Sequence, residues 1–196
     1  MSKNSVLVVS GRMMIFRTIS VFVLCSAVLS EVTAQEEKIE RERGSRFIVE
    51  VGDEVPHFSY TTTEGDVVDS DFLRGQVVLI HFAASWCPIS TLQRADTQKR
   101  LLKRYGDKDF SAVCVTIDEA KDTTLFKEMI RAEGIEYPVV LDTEERVYRQ
   151  FVTPKGSVTR SVVIGRDGRI SYLCDEYNRK KAKEINKAIF RGLKKR

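Results

Sequence analysis

The sequence predicts an α/β fold, a central mixed β-sheet with helices on both faces. Three observations lead there. Short runs rich in Val and Ile recur along the chain, too short for helices. Amphipathic helical stretches alternate with them. The last two runs are joined by Gly165-Arg166-Asp167-Gly168, whose Asp-Gly pair favours a hairpin. Alternation of strand and helix builds parallel pairs and a hairpin builds an antiparallel one, so the sheet is mixed.

Taken in order, the chain begins with a segment that reads as an export signal. Lys3, Arg12 and Arg17 precede an apolar run from Ile19 to Leu29, and Val32-Thr33-Ala34 stands where a signal peptidase reads. The run is shorter than the roughly 18–20 residues that span a bilayer. Residues 1–34 are therefore expected to leave as a signal peptide, with an uncleaved membrane anchor as the alternative. Residues 35–46 (QEEKIERERGSR) are dense in both signs of charge and read as a solvated leader. Residues 47–196 are expected to form one domain of ordinary size.

Within that domain, strands are expected at Val77–Phe82, Phe110–Ile117, Tyr137–Leu141, Ser161–Ile164 and Arg169–Leu173. Helices are expected at Thr91–Tyr105, at Thr123–Ala132 and in a C-terminal segment carrying Ala182, Ile185, Ile189 and Leu193 on one face. The composition agrees. With 196 residues, 42% hydrophobic, 11 Gly, 4 Pro and 4 Cys, the chain is neither collagenous, nor low-complexity, nor a disulfide scaffold. A net charge of +4 with no basic face interleaved with aromatics does not argue for nucleic acid, and no nucleic-acid partner is expected. The basic C-terminal residues read as a solvated helix face.

The chemistry concentrates at residues 77–90, VVLIHFAASWCPIS, where a buried strand runs through a short loop into a helix. A cysteine at that junction faces unpaired backbone N–H groups and the positive end of a helix dipole, which favour thiolate over thiol. Pro88 suits the first helical position. Ser90, three residues on, shares a face with Cys87 and is placed to donate a hydrogen bond to the thiolate.

Trp86-Cys87-Pro88-Ile89-Ser90 resembles the Trp-Cys-x-x-Cys motif of thioredoxin-fold proteins. Val51-Gly52-Asp53-Glu54-Val55-Pro56-His57-Phe58, followed by Leu73-Arg74-Gly75-Gln76-Val77-Val78-Leu79, resembles the entry to TlpA/ResA-like periplasmic thiol–disulfide oxidoreductases, which are related to the redoxins. The similarity continues through Val115-Thr116-Ile117-Asp118-Glu119 and Ile164-Gly165-Arg166-Asp167-Gly168-Arg169-Ile170. It implies a thioredoxin-like fold and disulfide exchange at Cys87, on protein or small-molecule disulfides in the periplasm.

Three positions depart from that pattern. Ser90 replaces the second cysteine, so Cys87 can attack a disulfide but cannot expel its client through an internal one. Thr159 stands where the family places a cis-proline, which implies a trans bond and a reshaped client groove. Ala95 replaces a helix-bending proline, which implies a straighter helix. His81 falls where thioredoxins carry a buried acid. It is read as a neutral filler beneath Ser90, with a base for Cys87 as the sharper alternative.

The family's strand order sets Cys114 and Cys174 three strand spacings of roughly 4.8 Å apart, too far for a disulfide, and both are read as small buried hydrophobes. His57 is expected at the surface, and no cluster has zinc spacing, so neither metal nor cofactor is assigned. The leading expectation is a monothiol oxidoreductase or isomerase with Cys87 and Ser90 as catalytic residues and Trp86, Pro88, His81 and Thr159 supporting them. Its partners would be disulfide-bearing clients or a small-molecule thiol, with no stable membrane insertion after cleavage. Two alternatives stand beside it: a catalytically degenerate binding or scaffold domain, and a peroxiredoxin-like peroxidase, for which Ala84 lacks the expected threonine and Arg160 lies one place from the expected arginine.

Overall fold

The computed structural model describes residues 47–119, 123–153 and 157–195. In chain order the elements are β1 (Ser59–Thr61), β2 (Val67–Asp69), β3 (Val77–Ala83), α1 (Pro88–Asp96), β4 (Phe110–Thr116), α2 (Thr123–Glu133), β5 (Val139–Leu141), α3 (Tyr148–Phe151), β6 (Arg160–Ile164), β7 (Ile170–Cys174) and α4 (Arg179–Lys194). Five strands form one sheet in the order β5-β4-β3-β6-β7. The β3–β4 and β4–β5 pairs are parallel, and the β3–β6 and β6–β7 pairs antiparallel. The sheet is thus mixed, and Asp167-Gly168 lies in the tight connection between β6 and β7.

Central β3 is buried at every position, which explains why it reads as a continuous apolar run rather than an alternating one. Side chains alternate between two cores. Val77, Leu79, Ala112, Val139 and Val163 meet Phe126 and Ile130 of α2 and Ile185 and Ile189 of α4, together with Leu101 and Tyr105 beyond α1. On the other face Val78, Ile80, Phe82, Val113, Val115 and Val162 meet Phe58, Val68 and Tyr148 and Phe151 of α3. Helices therefore cover both faces.

Several local features differ from the sequence reading. The β1–β2 hairpin and a 3-10 turn at Ser70–Leu73 were not anticipated, nor was the single-turn α3. The Asp142 carboxylate nucleates α3 by accepting from the amides of Arg146, Val147 and Tyr148 at 2.7–2.9 Å. The helix after the motif was expected to run straighter with Ala95 in it. Beyond Ala95, α1 passes into a π-helical stretch at Thr97–Leu102 and a last α turn at Lys103–Tyr105. The wider π turn keeps Thr97, Leu101 and Tyr105, spaced by four, all against the sheet.

The predicted signal peptide and leader lie outside the described residues. Among the described residues, no helix is long and apolar enough to cross a membrane.

Candidate active site

At the C-terminal end of β3 the chain turns over residues 84–87, closed by the Cys87 amide donating to the Ala84 carbonyl at 3.2 Å. Cys87 is the N-cap of α1 with extended backbone angles, and Pro88 occupies the start of the helix as its sequence position predicts. Cys87 is half-buried, whereas Trp86 is 68% exposed and Ile89 and Leu92 are also open to solvent.

Ser90 points inward and is fully buried, with its hydroxyl oxygen accepting from the Ala84 amide at 3.2 Å. Thr159, on the segment entering β6, closes the site from across the sheet. Its Oγ1 lies 3.3 Å from Cys87 Sγ and 3.3 Å from Ser90 Oγ. Because Ser90 Oγ accepts from Ala84, its own proton is available to Thr159, whose proton is then available to a Cys87 thiolate. No peptide bond among the described residues is cis.

Burial pushes the Cys87 thiol up. The Thr159 hydroxyl, the Ser90 amide and hydroxyl and the Ile89 amide outweigh it and hold the thiol below its ordinary value. The sulfur makes no capping hydrogen bond of full geometry to the helix, so the Thr159 hydroxyl is its best-defined partner. Sequence reasoning placed Thr159 here only as a change in groove shape. Its role as a sulfur partner depends on a contact spanning 72 positions.

The redoxin family model matches residues 50–189. The chain belongs to the redoxin family. Among relatives, the thiol-disulfide oxidoreductase ResA of Bacillus anthracis is 23% identical over 161 residues, 80% of this chain and 84% of that protein. A solution structure from Bacteroides thetaiotaomicron, provisionally described as a protein disulfide isomerase, aligns with a TM-score of 0.69 at 30% identity, covering 76% of this chain and 93% of the other. A provisionally described thiol:disulfide interchange protein DsbE from Chlorobium tepidum shares the fold, with a TM-score of 0.65, 24% identity, and coverage of 74% of this chain and 99% of that one.

In this redoxin, His81 does not serve Cys87. Its Nε2 lies 2.9 Å from the Tyr137 hydroxyl, and its Nδ1 has no hydrogen-bond partner. Complete burial, reinforced by the nearby Arg94 guanidinium, pulls its pKa down to about 3, so the ring is neutral. The sequence did not reveal Tyr137 as its partner. Around it, buried Gln93 donates to Ser161 Oγ at 2.6 Å, and buried Arg94 clamps Glu133 through Nε and Nη2 at 2.7 and 2.8 Å. This polar layer ties α1 to β6 and α2 directly beneath the motif.

The other candidates disperse. The Arg160 guanidinium lies 5.7 Å from the Phe47 ring and donates from Nη1 to the Thr153 carbonyl at 3.5 Å. Those neighbours lie on the sheet face opposite α1, so Arg160 does not face the sulfur as a peroxidase arginine would. Cys114 and Cys174 are buried on strands separated by β3 and β6, and neither is in a disulfide. Burial raises both thiols, Cys114 to about 12. His57 is exposed as expected, with its Nε2 3.6 Å from an Asp69 carboxylate oxygen and 3.7 Å from one of Asp71. Asp118, to which the sequence assigned no role at the site, accepts from the Ser85 amide in the turn that leads to Cys87.

Proposed function

We propose that this redoxin is a monothiol thiol–disulfide oxidoreductase or isomerase with Cys87 as its nucleophile. The observation that carries the reading is the half-buried Cys87 sulfur at a helix start, 3.3 Å from a hydroxyl donor and held toward thiolate. The thiolate attacks one sulfur of a client disulfide, forming a Cys87–client disulfide and releasing the other client sulfur as a thiolate. Ser90 carries no thiol, so the mixed disulfide waits for a second thiolate. When the client's own thiolate attacks, the client leaves with a rearranged disulfide and no net redox change. When two small-molecule thiols act in turn, the client leaves reduced and they leave as a disulfide. Each route returns the Cys87 thiolate.

Residues 1–34 then serve as a cleaved signal, delivering a chain that starts near Gln35 to an oxidising compartment such as the periplasm. N-terminal sequencing of the cellular protein tests this, and a cytoplasmic protein that retains Met1 refutes it.

The test of the reaction is trapping followed by turnover. The full chain is mixed with a disulfide-scrambled protein, quenched in acid and mapped by mass spectrometry. A client disulfide at Cys87 is expected, with isomerase turnover that Cys87→Ala abolishes. If no adduct forms, or if Cys87→Ala keeps the turnover, the scaffold reading replaces this one.

A further inference from the structure

The turn that presents Cys87 has few anchors of its own. Its two central residues are Ser85 and Trp86, and the Trp86 ring is largely in solvent. Pro88 offers no N–H, and the Cys87 amide is spent on closing the turn. Besides the Ser90 hydroxyl at Ala84 and the Thr159 hydroxyl at Cys87, the turn is held at its centre by the Asp118 carboxylate, 33 positions along the chain and only 1% exposed. Oδ1 and Oδ2 accept from the Ser85 amide at 2.9 and 3.0 Å, and Oδ1 also accepts from the Ser85 hydroxyl at 2.5 Å. Oδ2 further accepts from the Thr116 hydroxyl.

Thr116 lies opposite Ala83 in the β3–β4 register, and the Ile117 amide donates to the Ala83 carbonyl at 3.1 Å. The carboxylate is thereby seated on the paired ends of two central parallel strands. Both oxygens accept from donors on two separate segments, so the carboxylate fixes the Ser85 turn against the end of β4.

We infer that Asp118 is a positioning residue for Cys87: by clamping Ser85 to the end of β4 it fixes the turn that aims the sulfur at Thr159 and at the start of α1. This rests on the reading of Cys87 as the nucleophile. The sign of one measurement separates holding from mere charge. A carboxylate acting only as a nearby negative charge makes the thiolate harder to form, so removing it lowers the Cys87 pKa. A carboxylate that holds the turn does the opposite, because losing it frees the sulfur from its donors.

The experiment is the pH profile of Cys87 alkylation by iodoacetamide in the full chain, read at that residue by mass spectrometry. Asp118→Ala removes charge and acceptors. Asp118→Asn removes the charge and keeps one acceptor oxygen. Val162→Ala, at a buried site away from the turn, controls for general destabilisation. Asp118→Ala is expected to raise the Cys87 pKa by about half a pH unit, a roughly threefold loss of thiolate at neutral pH, above both the parent and Asp118→Asn. A profile for Asp118→Ala at or below either of these overturns the inference, as does an equal rise in Val162→Ala.

If Asp118→Ala does not fold, Ser85→Ala decides. It loses only the hydroxyl donor, so a smaller rise is expected and no rise overturns the inference. A parent thiol titrating at or above the free value of about 8.5 refutes the nucleophile reading and this inference with it. A lowered parent thiol that ignores Asp118→Ala refutes the inference alone.

Discussion

Replacing Thr159 with valine keeps the branched shape beside Cys87 and deletes only the hydroxyl. A buried hydrogen bond to a charged group contributes about 1.5–3 kcal/mol. Here the acceptor is a sulfur at 3.3 Å and the thiol is half open to water, so screening reduces the contribution to about 1 kcal/mol. At 1.36 kcal/mol per pH unit, the Cys87 pKa should rise by about 0.7. The rate change is smaller than the change in thiolate, because a more basic thiolate is a better nucleophile, with a Brønsted slope of about 0.4–0.5. Alkylation of Thr159→Val should therefore run about 2–3-fold slower than the parent at pH well below both values. It should run about 2-fold faster at pH well above them, so that the two profiles cross. Stopped-time iodoacetamide labelling between pH 5 and 10 reads this directly. Superimposed profiles, or a displacement to lower pH, would show that the Thr159 hydroxyl does not hold the thiolate.

Three further outcomes are expected. Ser90→Cys should form an internal disulfide with Cys87 and gain disulfide-reductase turnover on insulin; formation of that bond without turnover would place the deficit in the client groove around Thr159. Native protein should take up alkylating agent at Cys87 alone among Cys87, Cys114 and Cys174, since burial raises the other two thiols; comparable labelling of Cys114 would contradict the packing of β4. His81, neutral in the fold with a pKa near 3 against 6.5 in the open chain, leaves stability intact above pH 6.5. Stability should then fall by roughly 1 kcal/mol per pH unit as the pH drops below that value, because the unfolded chain takes up the proton. Chemical denaturation between pH 6.5 and 5 should show a flatter slope in His81→Gln, and an unchanged slope would remove His81 as the cause.

What was legible in the sequence depends on the reach of the interaction behind it. β3 shows itself because burial on both faces leaves VVLIHF unbroken by polar residues other than His81. Cys87 shows itself because strand, turn, Pro88 and helix follow one another within a dozen residues. The β1–β2 hairpin does not, because strands of three residues offer too few alternations to read. Nor does α3, a single turn whose formation depends on Asp142 and on packing rather than propensity. The partners that complete the site are silent for the same reason. Thr159 reaches Cys87 across 72 positions, Tyr137 reaches His81 across 56, and Asp118 reaches Ser85 across 33. Each pairing exists only once the strands are in register.

In the sequence, serine at 90 and threonine at 159 look like two separate losses from a dithiol site. The structure makes them one arrangement. Ser90 is fully buried, so its hydroxyl needs both an acceptor and a donor, and it finds Thr159 Oγ1 on one side and the Ala84 amide on the other. A proline at 159 would offer no side-chain oxygen and leave the Ser90 proton without this partner. With threonine there, that proton goes to Thr159, and the Thr159 proton is directed outward to Cys87. Each residue thus satisfies the other, and their shared product is a hydroxyl donor at the Cys87 sulfur. By lowering the thiol's pKa, an interaction of this kind makes Cys87 a better leaving group, at some cost to the intrinsic nucleophilicity of its thiolate. In the proposed monothiol cycle, that suits a mixed disulfide opened by an outside thiolate rather than by a neighbour on the same helix.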